Sequence, residues 1–328
     1  MRISKSICFA LLFFLYGKGI AQYDRENPLV HTYSIVAYDP ETGDIGVAVQ
    51  SHWFSVGTVV TWAEPGVGAV ATQSFSNPAF GPQGLALMKS GLSAEKALAA
   101  MLLADDGRDF RQVGIIDASG NSANHTGAKN IKSAGGIVGE NYAVQANMMK
   151  NDKVWPAMSV AFENAKGSLA EKMLIALEAA EASGGDIRGK QSAAILVVSG
   201  ESTGKIWKDT KVDLRVDDHA EPLVELRRLL KVHQAYEYMN DGDVALEDGD
   251  FEKASMLYSA AEEMFPDNLE MKYWHAINLA NTDQLDEALP MFKFVFSKDP
   301  NWKDLTPRLI ENGVLTVDEK ELKRILKQ

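Results

Sequence analysis

The chain is nearly free of cysteine. One residue, Cys8, occurs among 328, so neither an internal disulfide nor a cysteine-based zinc site can form. Positive charge is in short supply. Lys and Arg number 33 against 45 Asp and Glu, a net charge of −12, and so acidic a chain repels phosphate backbones, which argues against nucleic-acid binding. No Gly-x-Gly-x-x-Gly occurs, which removes support for a dinucleotide site. The six histidines, His31, His52, His125, His219, His233 and His275, include no pair at helical metal-ligand spacing. The acidic run Asp241, Asp243, Glu247, Asp248 and Asp250 is similar to a calcium loop, but Leu246 stands where the central glycine is required. No metal and no cofactor are therefore expected. Past the first twenty-one residues, no apolar run is long enough to span a bilayer. What is present is ordinary globular composition, 46% hydrophobic and 24% charged, in a length that suits two domains.

Arg2 and Lys5 precede the apolar run Ile7 to Tyr16, and Gly19-Ile20-Ala21 follows with small residues at both positions a signal peptidase reads. This is the form of a secretory signal peptide over residues 1–21, with an uncleaved N-terminal anchor as the competing reading. Cys8 lies inside the run and not at the cleavage point. The expected mature chain begins at Gln22, contains no cysteine and no integral membrane segment, and is exported to the periplasm or secreted. Residues 22–31 form a short polar segment ahead of the first strand.

Thr32 to Tyr38, rich in β-branched and aromatic residues, and Ile45 to Gln50 flank a turn at Asp39 to Asp44 and read as a β-hairpin. Val56 to Trp62 and Gly68 to Thr72 read as two further strands around Glu64-Pro65-Gly66. Gly84 to Ala104 is helical with a break at Gly91, and Ser93 is placed as the cap of the second piece. Gln112 to Asp117 and Tyr142 to Asn147 read as strands. Met158 to Ala182 reads as helix broken at Gly167, with Ser168 as cap. Gln191 to Ser199 reads as a strand, and Lys205 to Val216 as two short ones. Strands and helices in this order suit an α+β sheet sandwich flanked by helices.

The last third differs. Residues 232–328 carry 10 basic and 20 acidic side chains, so the acidity concentrates there and a domain boundary is expected near residue 231. Phe251 and Leu285, Ala254 and Ala288, Tyr258 and Phe292, and Pro266 and Pro300 are each 34 residues apart. That period, with small, aromatic and proline positions in register, is the tetratricopeptide signature. An all-α array is expected over 232–328, capped by Thr316 to Lys327, with an acidic surface suited to a protein or peptide partner.

A threonine that opens a strand becomes a competent nucleophile if processing frees its α-amine, which titrates near ~8 and can serve as base for the hydroxyl. Thr32 is such a residue, although β propensity alone also accounts for it. Three blocks at the start of the domain, Thr32 to Gly43, Gly46 to Gly57 and Pro65 to Gln73, resemble the bacterial family called domain of unknown function 1028. So do Tyr142 to Met149, Gly184 to Ala194, Leu214 to His219 and Glu225 to Leu230. The resemblance spans about 32–230. It implies the four-layer αββα sandwich of N-terminal nucleophile hydrolases over 32–231, and it supplies no substrate. It implies attack by Thr32 on an amide or ester carbonyl. Ser34, two residues inward on the same face, would line the pocket, and Ser51 and His52 at the end of the second strand would reach the same mouth. Gln73, Ser74 and Asn77 after the fourth strand are candidates for substrate binding, as are Asp186 and Arg188. Hydrolases of the proteasome type use a lysine beside the nucleophile. Here no lysine follows the second strand until Lys89, and His52 is the residue that could replace it.

Two functions follow. One is an exported hydrolase of amide-type bonds, acting on a small amide or peptide, with a protein-binding helical tail. The other is a catalytically silent binding or scaffold protein on the same fold. Asp217-Asp218-His219 reads either as helix caps or as a subunit contact, which leaves a homodimer open.

Overall fold

The structure is a computed structural model and describes residues 28–328. The expected signal peptide, Cys8 and the first part of the segment 22–31 lie outside the described residues. In chain order the first unit runs β1 (Leu29–Val30), β2 (Thr32–Tyr38), β3 (Ile45–Ser51), α1 (Gly57–Val60), β4 (Thr61–Glu64), β5 (Gly68–Phe75), α2 (Phe80–Lys89), α3 (Ala94–Ala104) and β6 (Arg111–Asp117). It continues through β7 (Ser122–Thr126), β8 (Gly135–Gly139), β9 (Tyr142–Ala146), α4 (Val154–Asn164), α5 (Leu169–Ala182), β10 (Ser192–Val198), α6 (Ile206–Asp209) and β11 (Thr210–Val216). The strands form two antiparallel sheets. One has the order β1-β5-β6-β7 with β4 also on β5, and the other β11-β10-β3-β2-β9-β8.

Period-two alternation in β2 decides how these sheets pack. Tyr33, Ile35 and Ala37 turn to one face and join Met158, Leu169, Met173 and Leu177 of α4 and α5 in one buried cluster. Val36 turns to the other face and joins Ile45, Val47, Val49, Ala69, Ala71 and Ile116 between the two sheets. On the far side of the first sheet, Val70, Val113 and Ile115 pack with Leu85, Met88, Leu98 and Met101 of α2 and α3. Helices thus cover the outer face of each sheet, and a cleft between the sheets is filled mostly by aliphatic residues. Gly46 permits the close approach of α5, since a Cβ there would lie 2.4 Å from Met173 Cε.

Several elements differ from their sequence expectation. Residues 57–60 are a helical turn and not the start of a strand. Ser192 Oγ accepts from Val56 N at 3.1 Å, and a Cβ at Gly57 would sit 2.5 Å from Ala194 Cβ, so the chain tucks against β10 before β4 begins. Lys205 to Val216 holds one strand, β11, preceded by the turn α6. Ser93 stands at the cap position of α3 but makes no cap bond. Asp117 Oδ2, from the end of β6, accepts from Ala94 N instead at 3.0 Å. Ser168 does cap α5, in a reciprocal box with Glu171.

The second unit is helical: α7 (Pro222–Glu247), α8 (Phe251–Met264), α9 (Leu269–Asn281), α10 (Leu285–Lys298), α11 (Asn301–Leu305), α12 (Arg308–Glu311) and α13 (Glu319–Ile325). The boundary expected near residue 231 falls inside α7. Leu223, Leu226 and Leu230 belong to the core under α5, whereas Ala235, Met239 and Ala245 belong to the core with α8. One uninterrupted helix therefore changes packing partner between Leu230 and Ala235. Ala254, Tyr258, Ala288 and Phe292 are all buried, and Gly242 makes room for the Tyr258 ring. Among the described residues no helix is long and apolar enough to cross a membrane.

Candidate active site

One end of the inter-sheet cleft is polar. Thr32 opens β2 opposite Ser51, the last residue of β3, and Ser192 opens β10 opposite Ser51 on its other side. From the facing sheet come Gln73 on β5 and Gln112 on β6, paired in register. Gln145 on β9 lies opposite Ser34, and Asn147 follows that strand. Thr32, Ser34, Ser51, Gln73, Gln112, Gln145, Asn147 and Ser192 are all completely buried. Polar side chains in such a place require partners; Thr32, Ser51 and Ser192 bond to backbone atoms, and the other five form a chain. Gln145 Nε2 donates to Ser34 Oγ at 2.6 Å, and Ser34 Oγ to Gln73 Oε1 at 2.6 Å. Gln73 Nε2 donates to Gln112 Oε1 at 2.7 Å and to Thr32 O at 3.2 Å. Asn147 Nδ2 donates to Gln112 Oε1 at 2.8 Å.

The peptide bond before Thr32 lies at the centre of this cluster. The His31 carbonyl oxygen accepts from Ser51 Oγ at 2.5 Å and from Arg188 Nη2 at 2.8 Å. Arg188 is held by a forked ion pair to Asp186, with Nη2 to Oδ2 at 2.6 Å and Nε to Oδ1 at 3.0 Å. The Asp186 side chain is itself wholly buried. Such a pair fixes the guanidinium plane. Thr32 Oγ1 turns back over the preceding residues and donates to Val30 O at 3.2 Å. His31 is fully buried, with Nδ1 2.5 Å from Asn147 Oδ1 and its ring edge-on to Phe75. Burial holds its imidazole below the ordinary value; the Arg188 charge adds to this and the Asn147 bond opposes it. The ring is therefore neutral at neutral pH.

Of the residues singled out from sequence, Thr32, Ser34, Ser51, Gln73, Asp186 and Arg188 converge here. His52 does not reach the cluster: it is exposed beyond the end of β3, and its backbone N lies 3.4 Å from Asp186 Oδ2. Ser74 sits opposite Val30, buried, with φ of 73° and a hydroxyl that has no partner. Asn77 is engaged in the turn into α2, where its Oδ1 accepts from Ala79 N. Lys89 pairs with Glu64 at the surface. Sequence reasoning missed His31, Gln112, Gln145, Asn147 and Ser192. Gln145 and Asn147 were recoverable, since they are polar residues placed two apart in an otherwise apolar strand.

Residues 32–226 match the family described as a family of unknown function, DUF1028. Among curated proteins nothing matches the chain. Among solved structures, it is similar to a protein of Silicibacter pomeroyi whose crystal structure is assigned to the same family. Identity is 31% and the TM-score 0.56, over 61% of this chain and 88% of the other. The motifs around the polar end of the cleft and the match over most of the sandwich lead to one assignment: the chain belongs to the DUF1028 family.

Proposed function

We propose that the protein is an exported hydrolase of amide-type bonds, of the N-terminal nucleophile kind, whose nucleophile is Thr32. The observation that carries this reading is the His31 carbonyl, held by the Ser51 hydroxyl and the Arg188 guanidinium beside the Thr32 hydroxyl. Those two donors are where an oxyanion hole for this carbonyl would need them. In maturation Thr32 Oγ1 attacks the His31 carbonyl carbon and its proton passes to the Thr32 nitrogen. The C–N bond breaks, leaving the His31 acyl group as an ester on Oγ1 and a free α-amine on Thr32. Water then cleaves the ester, releasing the leader as a carboxylate and restoring the hydroxyl.

In turnover the freed amine takes the hydroxyl proton as Oγ1 attacks a substrate amide. The amine leaving group departs with that proton, and water hydrolyses the resulting ester. The cation beside the nucleophile is Arg188, in the role that lysine has in the proteasome type. The helical unit fits a tetratricopeptide-type array, its aromatic and small positions repeating at the spacing read from sequence, and we assign it a peptide- or protein-binding role.

A silent binding protein is favoured by one fact: with residue 31 attached, Thr32 is buried and has no free amine. Intact-mass analysis of the protein from its native compartment separates the two. A chain starting at Thr32, and a Thr32→Ala variant that stays uncleaved and loses at least about a thousandfold in amide turnover, are the expected results. A chain that starts at Gln22 and still hydrolyses amides would eliminate Thr32 as nucleophile.

A further inference from the structure

The strand just ahead of Thr32 occupies a slot that a substrate can reuse. β4 pairs with β5 only over Gly68 to Ala71. Beyond that, the same edge of β5 is covered by β1, with Leu29 opposite Phe75 and Val30 opposite Ser74. Ser76 N donates to Pro28 O at 2.9 Å and extends the ladder by one bond. A short stretch of β5 edge next to the nucleophile is thus covered by β1, and removal of the leader would bare it. An exposed edge of this kind binds extended peptides through their main chain, with alternate side chains entering pockets.

Side-chain recognition is equally visible. Val30 is fully buried, in the same apolar cluster as Val56, Val60 and Ala71. His31 is buried between Asn147 and Phe75. Two polar atoms at this junction, His31 Nε2 and Ser74 Oγ, are buried without partners, so the leader is held less completely than a permanent strand. The chemistry adds a stronger point. The ester formed when Thr32 takes the His31 acyl group is the same species as the acyl-enzyme of any substrate ending in that acyl group. The leader's position is the position of an acyl group about to be transferred.

We infer that the acyl side of the site is a β-strand slot on β5 for an extended peptide, with an apolar β-branched residue in the Val30 place and a hydrogen-bonding ring, histidine or a close relative, in the His31 place. This rests on Thr32 being the nucleophile. The carbonyl to be attacked would lie between Ser51 Oγ and Arg188, and the amine side of the substrate would depart where the Thr32 nitrogen now continues the chain.

The test uses the fluorescein-labelled peptide Leu-Val-His as free acid, with Leu-Asp-His as control, and fluorescence polarisation. Three full-length proteins are compared: the natively processed chain, uncleaved Thr32→Ala, and Thr32→Ala combined with Val30→Asp, which displaces the leader. The processed chain and the double variant are expected to bind Leu-Val-His at least about tenfold more tightly than Thr32→Ala does, because only there is the slot vacant. They are also expected to prefer it to Leu-Asp-His by a similar factor. Equal binding to all three proteins, or no preference between the peptides, overturns the slot. If the double variant proves unfolded by circular dichroism, the comparison of the processed chain with Thr32→Ala carries the same outcomes. Hydrolysis of Leu-Val-His-anilide is measured in parallel on the processed chain. Binding without hydrolysis leaves the slot standing and removes the nucleophile, whereas amide hydrolysis that ignores Val and His does the reverse.

Discussion

The sandwich and the helical tail bury different things. In the tail the buried side chains are almost all apolar, alanine, aliphatic or aromatic, with His275 and Thr306 as the only buried polar residues among those described beyond 231. His275 is matched to Glu262, whose carboxyl the His275 and Lys272 partners hold below its ordinary value against the opposing effect of burial. In the sandwich, one end of the inter-sheet cleft is aliphatic and the other holds at least eight buried polar side chains. Burying polar groups is costly, and their network is worth keeping only where it does something other than fill space. Hence a side chain deleted from the tail core should remove stability, while under the proposed function one deleted from the polar end of the cleft should remove chemistry.

The largest test of that contrast is Phe292→Ala. Phe292 is fully buried beside Tyr273 and Phe296, so its truncation should cost about 3–5 kcal/mol, seen as a lowered urea midpoint of the helical signal. Leader cleavage in the surviving folded fraction should proceed at the parental rate, and a slowed cleavage would break the contrast. Ser51→Ala comes next. It should slow leader cleavage about a hundredfold or more, followed by intact mass over time, because one oxyanion donor is removed. Its stability should fall by only about 1 kcal/mol. Loss of stability without a change in cleavage would assign Ser51 to the fold alone.

The smallest effect is pH-linked and belongs to the uncleaved chain. His31 has a folded-state pKa below its ordinary value of 6.5. Its contribution to stability is therefore full above about 6.5 and is lost as pH falls through that value toward the folded pKa, where the unfolded chain binds the extra proton. The slope from one histidine is at most about 1.4 kcal/mol per pH unit. Urea midpoints of Thr32→Ala at pH 7 and pH 5 should differ by more than those of Thr32→Ala combined with His31→Ala. Equal differences would mean that the imbalance arises elsewhere.

These regions also differ in how openly the sequence declares them. β2, β3 and β10 announce themselves as β-branched runs, and the tail by its repeat at Ala254, Tyr258, Ala288 and Phe292. Thr32, Ser34 and Ser51 followed from the family resemblance, with strand alternation and position at a strand end placing them relative to one another. Val56 to Val60 misled because its β-branched residues suit a strand, yet close packing of Gly57 on Ala194 coils it into a turn. β7, Ser-Ala-Asn-His-Thr, and the glycine-rich β8 carry no strand pattern of their own and exist through pairing with β6 and β9. β1 is two residues long and is a strand only because β5 has an edge to offer. Gln112 could not be placed at the site without knowing which strands of opposite sheets face each other. His52 was overvalued for a related reason: one residue past the end of β3, the ladder no longer dictates where a side chain points.

α7 has a mechanical consequence. At 26 residues and 1.5 Å rise per residue, it is a rod about 39 Å long, seated at one end in the sandwich and at the other in the helical pairs. No flexible linker separates the two. A partner captured by the tail would not sweep through a wide volume, as on a loose tether, but would be presented over a narrow range of distances and orientations. Its local concentration near any one point on the sandwich would then be set by geometry, high where the arm reaches and negligible elsewhere.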